Sequence, residues 1–259
     1  MSLELAVLLA GLGFLAAFLS GLLGIGGGLA IIPLLLYLPE WLGLASFDLK
    51  AAAAIGVAQI TTATGAGTFA NFRRGLIYKR LAAVVIGAMA VGALGGGWVS
   101  QFLPIWVLKA VFASFASLAA AVMLLPVSKQ ELGPAQPRFN WPLALLCGLG
   151  VGIGIGLVGG GAFMLVPLQV YLLRVPTRTA IATGLAAGFP GAASALVGKT
   201  LGHQVPFLPA LTVCILAIPG AQLGAAVGAR LSARVLRRAY AMVVMTVAGG
   251  LWYDVLHLV

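Results

Sequence analysis

Three adjacent glycines inside an oily chain constrain this sequence more than any other feature, because they occur twice. The first stretch reads Gly24-Ile25-Gly26-Gly27-Gly28-Leu29-Ala30-Ile31-Ile32-Pro33-Leu34, and the second reads Val158-Gly159-Gly160-Gly161-Ala162-Phe163-Met164-Leu165-Val166-Pro167-Leu168. Aligning Pro33 with Pro167 pairs Gly26 with Gly160, Gly27 with Gly161, Leu23 with Leu157 and Tyr37 with Tyr171, at a constant offset of 134. Such a run leaves backbone N–H and C=O groups that no side chain covers. In hydrocarbon, irregular backbone survives only where it is buried in protein or lines a wet cavity. A duplicated glycine break is therefore a pointer to a transport site.

The solvent around those glycines follows from composition. Of 259 residues, 62% are hydrophobic and 8% are charged, against about 25% charged in soluble domains. Several apolar runs of about 20 residues then mean an all-α, multi-span membrane protein. No polar stretch is long enough for an extramembrane domain. The net charge of +10 does not indicate nucleic-acid binding, because the cations are scattered between apolar runs and read as topology signals. Cys147 and Cys214 stand alone in apolar runs, without metal-ligand spacing or a disulfide framework. Glu4, with no Lys or Arg before the first apolar run, predicts a retained first span rather than a cleaved signal peptide.

Apolar segments fall near residues 3–23, 28–45, 51–70, 81–99, 105–125, 141–157, 161–173, 178–198, 207–229 and 238–258. A polar linker, 127–140, divides the chain into a first transmembrane repeat, 1–126, and a second, 141–259, of five segments each. Beyond the glycine stretches a second offset, 128, pairs Gly56 with Gly184, Gly92 with Gly220, Leu108 with Leu236 and Lys109 with Arg237. The six-residue change corresponds to the longer loop Pro39–Asp48 of the first half. Pairing on both sides of one indel is the mark of duplication.

Alternating the segments puts twelve of the fifteen Lys and Arg on one side, leaving Lys50, Lys109 and Lys199 opposite. The basic side is expected to be cytoplasmic, with both termini extracytoplasmic. Five segments per half make the two repeats inverted. The second glycine hairpin, Trp141 to Leu173, has 33 residues. About 16 per arm reaches roughly 25 Å, short of a core of ~30 Å. The hairpins are therefore expected to be re-entrant, with their tips near the midplane.

Candidate binding residues follow from this plan. Helices beginning at Gly28 and near Ala162 would aim free N–H groups and positive dipole ends at the breaks, so Gly26, Gly27, Gly28, Gly160, Gly161 and Ala162 are expected to embrace an anion. On the third segment Thr61, Thr64, Thr68 and Asn71 share one face, where bonding back to the helix is the simplest reading. Gln59, costly to bury at mid-span, and Thr62 beside it are the expected side-chain contacts. Arg73, Arg178 and His203 are candidates for a vestibule, although interface anchoring accounts for the arginines and an exposed loop for Lys199 and His203.

Glu4, Glu40 and Asp254 lie toward the ends of their segments and no Asp or Glu stands at mid-span, so the usual carboxylates for proton relay or sodium coordination are missing there. There is no Gly-x-x-x-x-Gly-Lys-Ser/Thr phosphate loop, and no catalytic triad or metal cluster at membrane depth. The sequence predicts neither an enzyme nor a cofactor.

With these residues in view, the chain resembles the sulfite exporter TauE/SafE family, also called the toluenesulfonate uptake permease family. The resemblance rests on Gly24–Pro33 (Gly-Ile-Gly-Gly-Gly-x-x-x-x-Pro) and its second copy, in which Val158 and Ala162 replace Gly24 and Gly28. It implies a polytopic carrier for small, often sulfur-containing anions such as sulfite, thiosulfate and organosulfonates. The expectation is a secondary transporter of the cytoplasmic membrane, working by alternating access. Its partners would be the anion, the bilayer and at most a second copy of the chain. Two alternatives are a passive anion channel and a membrane subunit that hands sulfur to a soluble partner. The second needs a reactive thiol, and the apolar setting of both cysteines argues against it.

Overall fold

The computed structural model describes residues 1–24, 26–72, 77–124 and 140–257, and all regular structure among them is helical. In chain order the elements are α1 (Leu3–Leu23), α2 (Gly28–Trp41), α3 (Leu49–Phe72), α4 (Lys79–Val99), α5 (Ile105–Leu124), α6 (Trp141–Val158), the irregular arm α7 (Gly161–Leu172), α8 (Thr177–Leu201), α9 (Phe207–Gly228) and α10 (Ala233–His257). These ten elements coincide with the ten predicted segments to within a few residues at most ends. Arg73 and most of the linker, 125–139, lie outside the described residues.

The helices start and stop for local reasons. Ser2, Asp48, Asn140 and Ser232 each accept a backbone N–H from the first turn that follows them, satisfying donors that a helix start leaves open. α1 ends at Gly24 and α6 at Gly159, both left-handed, with φ of 72° and 70°. Their N–H groups donate to Ser20 O and Ile155 O, so each helix closes just before its break.

Six helices, α1, α4, α5, α6, α8 and α9, are long and apolar enough to cross a membrane. α2 is not. Its 14 residues reach about 21 Å, against a hydrocarbon core of ~30 Å. The outer surface of the bundle is apolar, with Leu, Ile, Val and Phe side chains exposed along the helices, as a lipid-facing surface requires. All five tryptophans are exposed and stand at or near helix ends, where amphipathic rings favour the membrane–water boundary.

Packing is arranged by small residues. α1 runs in the same direction as α9, with Gly13 against Val213, Gly21 against Ala221 and Gly224 against Phe18. α4 runs beside α6 in the same way, with Gly148 against Val85, Gly152 against Met89 and Gly156 against Ala93 and Gly97. The first helix of each half thus packs on the fourth helix of the other. Between lipids of equal apolarity, close backbone approach provides the van der Waals contact that holds such pairs. α3 and α8 meet at the centre, where Gly65 faces Phe189 and Gly188 faces Thr64.

One expectation fails here. Lys199 is not in an exposed loop: α8 continues to Leu201, beyond the expected end at 198, and this carries the lysine into a fully buried position.

The packing generates a paired test on one helix. A β-carbon on Gly152 would strike the backbone of Met89, whereas one on Gly150 meets nothing within 4 Å. Gly152→Ala should destabilise the protein by about 1–3 kcal/mol through overpacking. Gly150→Ala should be neutral or slightly stabilising, since alanine is favoured over glycine in helices by ~1 kcal/mol. Thermal unfolding of the two variants in detergent checks both signs.

Candidate functional site

The two glycine breaks, 134 residues apart in sequence, meet in space. A β-carbon on Gly26 would lie 2.6 Å from Ala162 Cβ, and one on Gly28 would lie 2.9 Å from Gly160 Cα and closer still to the carbonyl oxygen of Gly159. Any side chain at these points would push the breaks apart. Gly27 has φ of 77° and caps α2 without any side-chain bond. Its carbonyl accepts from Ala30 N and Ile31 N, leaving the first N–H groups of α2 directed at the break.

Gln59 stands directly over that helix start. A β-carbon on Gly27 would lie 2.5 Å from Gln59 Oε1 and 2.7 Å from Nε2, so the side-chain amide occupies the space that glycine leaves. Gln59 is fully buried, and neither its oxygen nor its nitrogen has a hydrogen-bond partner among the described residues. Buried amides are nearly always paired, because an unmade bond costs about 1–3 kcal/mol. An unpaired amide at the positive end of a helix, inside a glycine pocket, has the properties of a site awaiting a polar ligand.

The second break is built differently from the first. No regular helix begins near Ala162. Gly161–Met164 forms a 3₁₀ turn, Leu165–Pro167 an α turn and Leu168–Leu172 a π turn. Pro167 supplies no N–H for a regular ladder here, and the carbonyl of Phe163 is met instead by the buried Tyr240 hydroxyl. Gly160 packs against Phe112 and Ile32, and Gly161 against the backbone of Gly154 and Ile155. The expected pair of matching helix starts is thus one helix start, at Gly28, facing a tightly folded loop.

The structure therefore brings together Gly26, Gly27, Gly28, Gln59, Gly160 and Ala162, with Gly161 one layer behind. The Thr62 hydroxyl donates to Ala58 O at 2.8 Å and faces the Cys214 thiol on α9. Thr61, Thr64 and Thr68 likewise donate to carbonyls four residues back. Arg178 is exposed and donates to Leu231 O at 2.8 Å, tying α8 to the start of the α10 region. His203 is exposed, and neither it nor Arg178 touches the glycine breaks.

Three residues escape sequence reasoning. Gln169, on the π turn of α7, is a second fully buried glutamine with neither amide atom paired among the described residues. The criterion that selects Gln59, an amide inside an apolar run, selects it equally. Tyr240 and Lys199 hold carbonyls on either side of the second break, Phe163 O and Leu157 O. Both are pairings across the fold, and no local pattern announces them.

A helical bundle with an apolar exterior, broken hairpins and a buried polar centre defines a multi-pass membrane protein of the transporter class. The chain belongs to the sulfite exporter TauE/SafE family, whose model matches residues 9–251. Curated relatives match most of its length. It is 24% identical over 260 residues to the probable membrane transporter protein YunE of Bacillus subtilis strain 168, covering 93% of each chain. It is 26% identical over 262 residues to a probable membrane transporter protein of Xylella fastidiosa strain Temecula1, covering 96% of this chain and 95% of that one. A third, probable membrane transporter protein YdhB of Bacillus subtilis, is 23% identical over 225 residues. No solved structure matches the chain significantly. The protein is a membrane transporter, not an enzyme.

If Gln59 is held unpaired for a ligand, removing its polarity should stabilise the empty protein. Gln59→Met, similar in length and apolar, should raise stability without ligand by about 1–3 kcal/mol. Thermal unfolding in ligand-free buffer tests this, and a loss of stability would mean that the amide is already satisfied.

Proposed function

We propose that this chain is a secondary carrier for a small sulfur-containing anion, sulfite, thiosulfate or an organosulfonate, in the cytoplasmic membrane. The observation that carries this reading is the meeting of both glycine breaks beside the unpaired Gln59 amide. Backbone N–H groups of α2 and the Gln59 Nε2 would donate to the oxyanion. The residues that meet there are small and closely packed, so the anion would be a compact one. The substrate class follows the family description, which names sulfite, with thiosulfate and organosulfonates as anions of like chemistry.

The two halves, 1–126 and 141–259, would act as inverted repeats, with the break hairpins re-entering from opposite sides. The parallel course of α1 beside α9 and of α4 beside α6 supports this, since it is the pairing that inversion generates when successive helices alternate in direction. The α2 start lies level with Gln59 and Ile60, midway along α3, which supports tips near the midplane. Arg174, Arg178, Arg230 and the other arginines beyond them then mark the cytoplasmic face, and both termini are extracytoplasmic. One negative charge crossing 100 mV is worth ~2.3 kcal/mol, enough to drive export from a cell that is negative inside.

Flux in proteoliposomes tests the reading. The wild-type protein should move labelled sulfite, thiosulfate or a small sulfonate with saturation, and unlabelled anion on the far side should accelerate uptake. Gln59→Met and Gly27→Ala should each cut flux strongly while inserting normally, since a carbon added at Gly27 meets the Gln59 side chain rather than backbone. Flux without saturation or trans-acceleration would make the protein a channel. Wild-type rates in both variants would remove the breaks from the pathway.

A further inference from the structure

Lys199 is fully buried near the end of α8, and its ammonium has only neutral partners: Ser100 Oγ at 3.1 Å, Leu157 O at 3.4 Å and Gln204 Oε1 at 3.4 Å. Three N–H donors thus meet three acceptors, but two of the contacts are long. Charge-assisted bonds are normally 2.7–2.9 Å. Lys50, half-buried at the start of α3, donates at 2.8 Å to the carbonyl oxygen of Gln101, the residue next to the Ser100 that Lys199 reaches, so the two lysines are neighbours. Among the described residues neither lysine has a carboxylate partner. Asp48, two residues from Lys50, is exposed and accepts from Ala51 N.

Buried charges in a bilayer protein are normally paired, and an unpaired one marks a pathway. The position is telling. Leu157 is in the last turn of α6, immediately before the second glycine break, so the ammonium sits against the negative end of that helix. Gln204 is half-buried and His203 exposed, which puts Lys199 one residue layer beneath the surface.

We propose that Lys199, with Lys50 beside it, is a second anion-binding station at the end of the bundle opposite the arginine-rich end. It receives the transported oxyanion as the anion passes between solution and the glycine breaks. In the empty protein the ammonium rests on Ser100, Gln204 and the α6 carbonyl. An arriving oxyanion replaces the two long contacts with short charge-assisted ones, releases Leu157 O and so loosens the end of α6 that leads into the break. This inference rests on the transport reading above and assigns that pathway its charged entrance.

The test is a pair of variants in oriented proteoliposomes, using ³⁵S-labelled sulfite, thiosulfate and methanesulfonate. Gln204→Glu puts a carboxylate beside Lys199 with almost no change of shape, exchanging the bond from Gln204 Nε2 to Gly97 O for an ion pair with the lysine, so it should still fold. It should nevertheless raise KM about tenfold or more, by pre-neutralising the station. The increase should appear when the anion is offered from the Lys199 face and be smaller from the other. Lys199→Met should raise KM in the same sided manner. Unchanged KM in Gln204→Glu, with Lys199→Met lowering only the yield of folded protein, would make the lysine a structural clamp and overturn the proposal. Failure of the wild-type protein to move any of the three anions would overturn the transport reading and this inference with it.

Discussion

The structure depends on one constraint: a helix broken inside a membrane exposes backbone groups that the bilayer cannot satisfy. Both breaks meet this constraint by burying their loops against each other, which only glycine permits at the Gly26–Ala162 and Gly28–Gly160 contacts. The remaining polar groups are treated unequally. Around the second break, side chains close the carbonyls, with Tyr240 on Phe163 O and Lys199 on Leu157 O. At the first break no side chain caps α2, and the group that faces it, Gln59, is unpaired. One break is sealed by protein, while the other keeps an uncapped helix start, as the proposed binding site requires.

This asymmetry explains how much of the molecule was legible in the sequence. The elements were readable because length and apolarity determine a membrane helix almost alone, and the glycine caps at Gly24 and Gly159 mark their own helix ends. Gln59 was readable as an amide stranded at mid-span. The meeting of the breaks was suggested by duplication, but the duplication misled about their likeness. The second arm changes from 3₁₀ to α to π because Pro167 and the Tyr240 hydroxyl act on it together, and Tyr240 lies 77 residues from its partner. Lys199 was hidden for a simpler reason. A lysine after an apolar run reads as the end of a helix, and only the packing of α4, α6 and α8 around it reveals that the helix goes on.

The same packing suggests what moves. α1 with α9 and α4 with α6 are held through long runs of small residues in direct backbone contact, and such pairs behave as rigid units. The arms α2 and α7 are short and carry prolines, and they join those units at the glycine turns. An oxyanion bonded to the α2 start and to Gln59 would tie that arm to α3 beside the second break. Rocking of the helix pairs about that contact would expose it first to one side and then to the other, as alternating access requires.

The most direct test is the accessibility of the breaks themselves. Ala162, 5% exposed and in contact with Gly26, can be replaced by cysteine in a protein lacking Cys147 and Cys214. The account predicts that Ala162→Cys reacts with a membrane-impermeant thiol reagent added from either side of the bilayer, and that the transported anion protects it. A thiol that never reacts, or one that reacts equally with the anion present, would contradict the claim that the paired glycine breaks form the binding site.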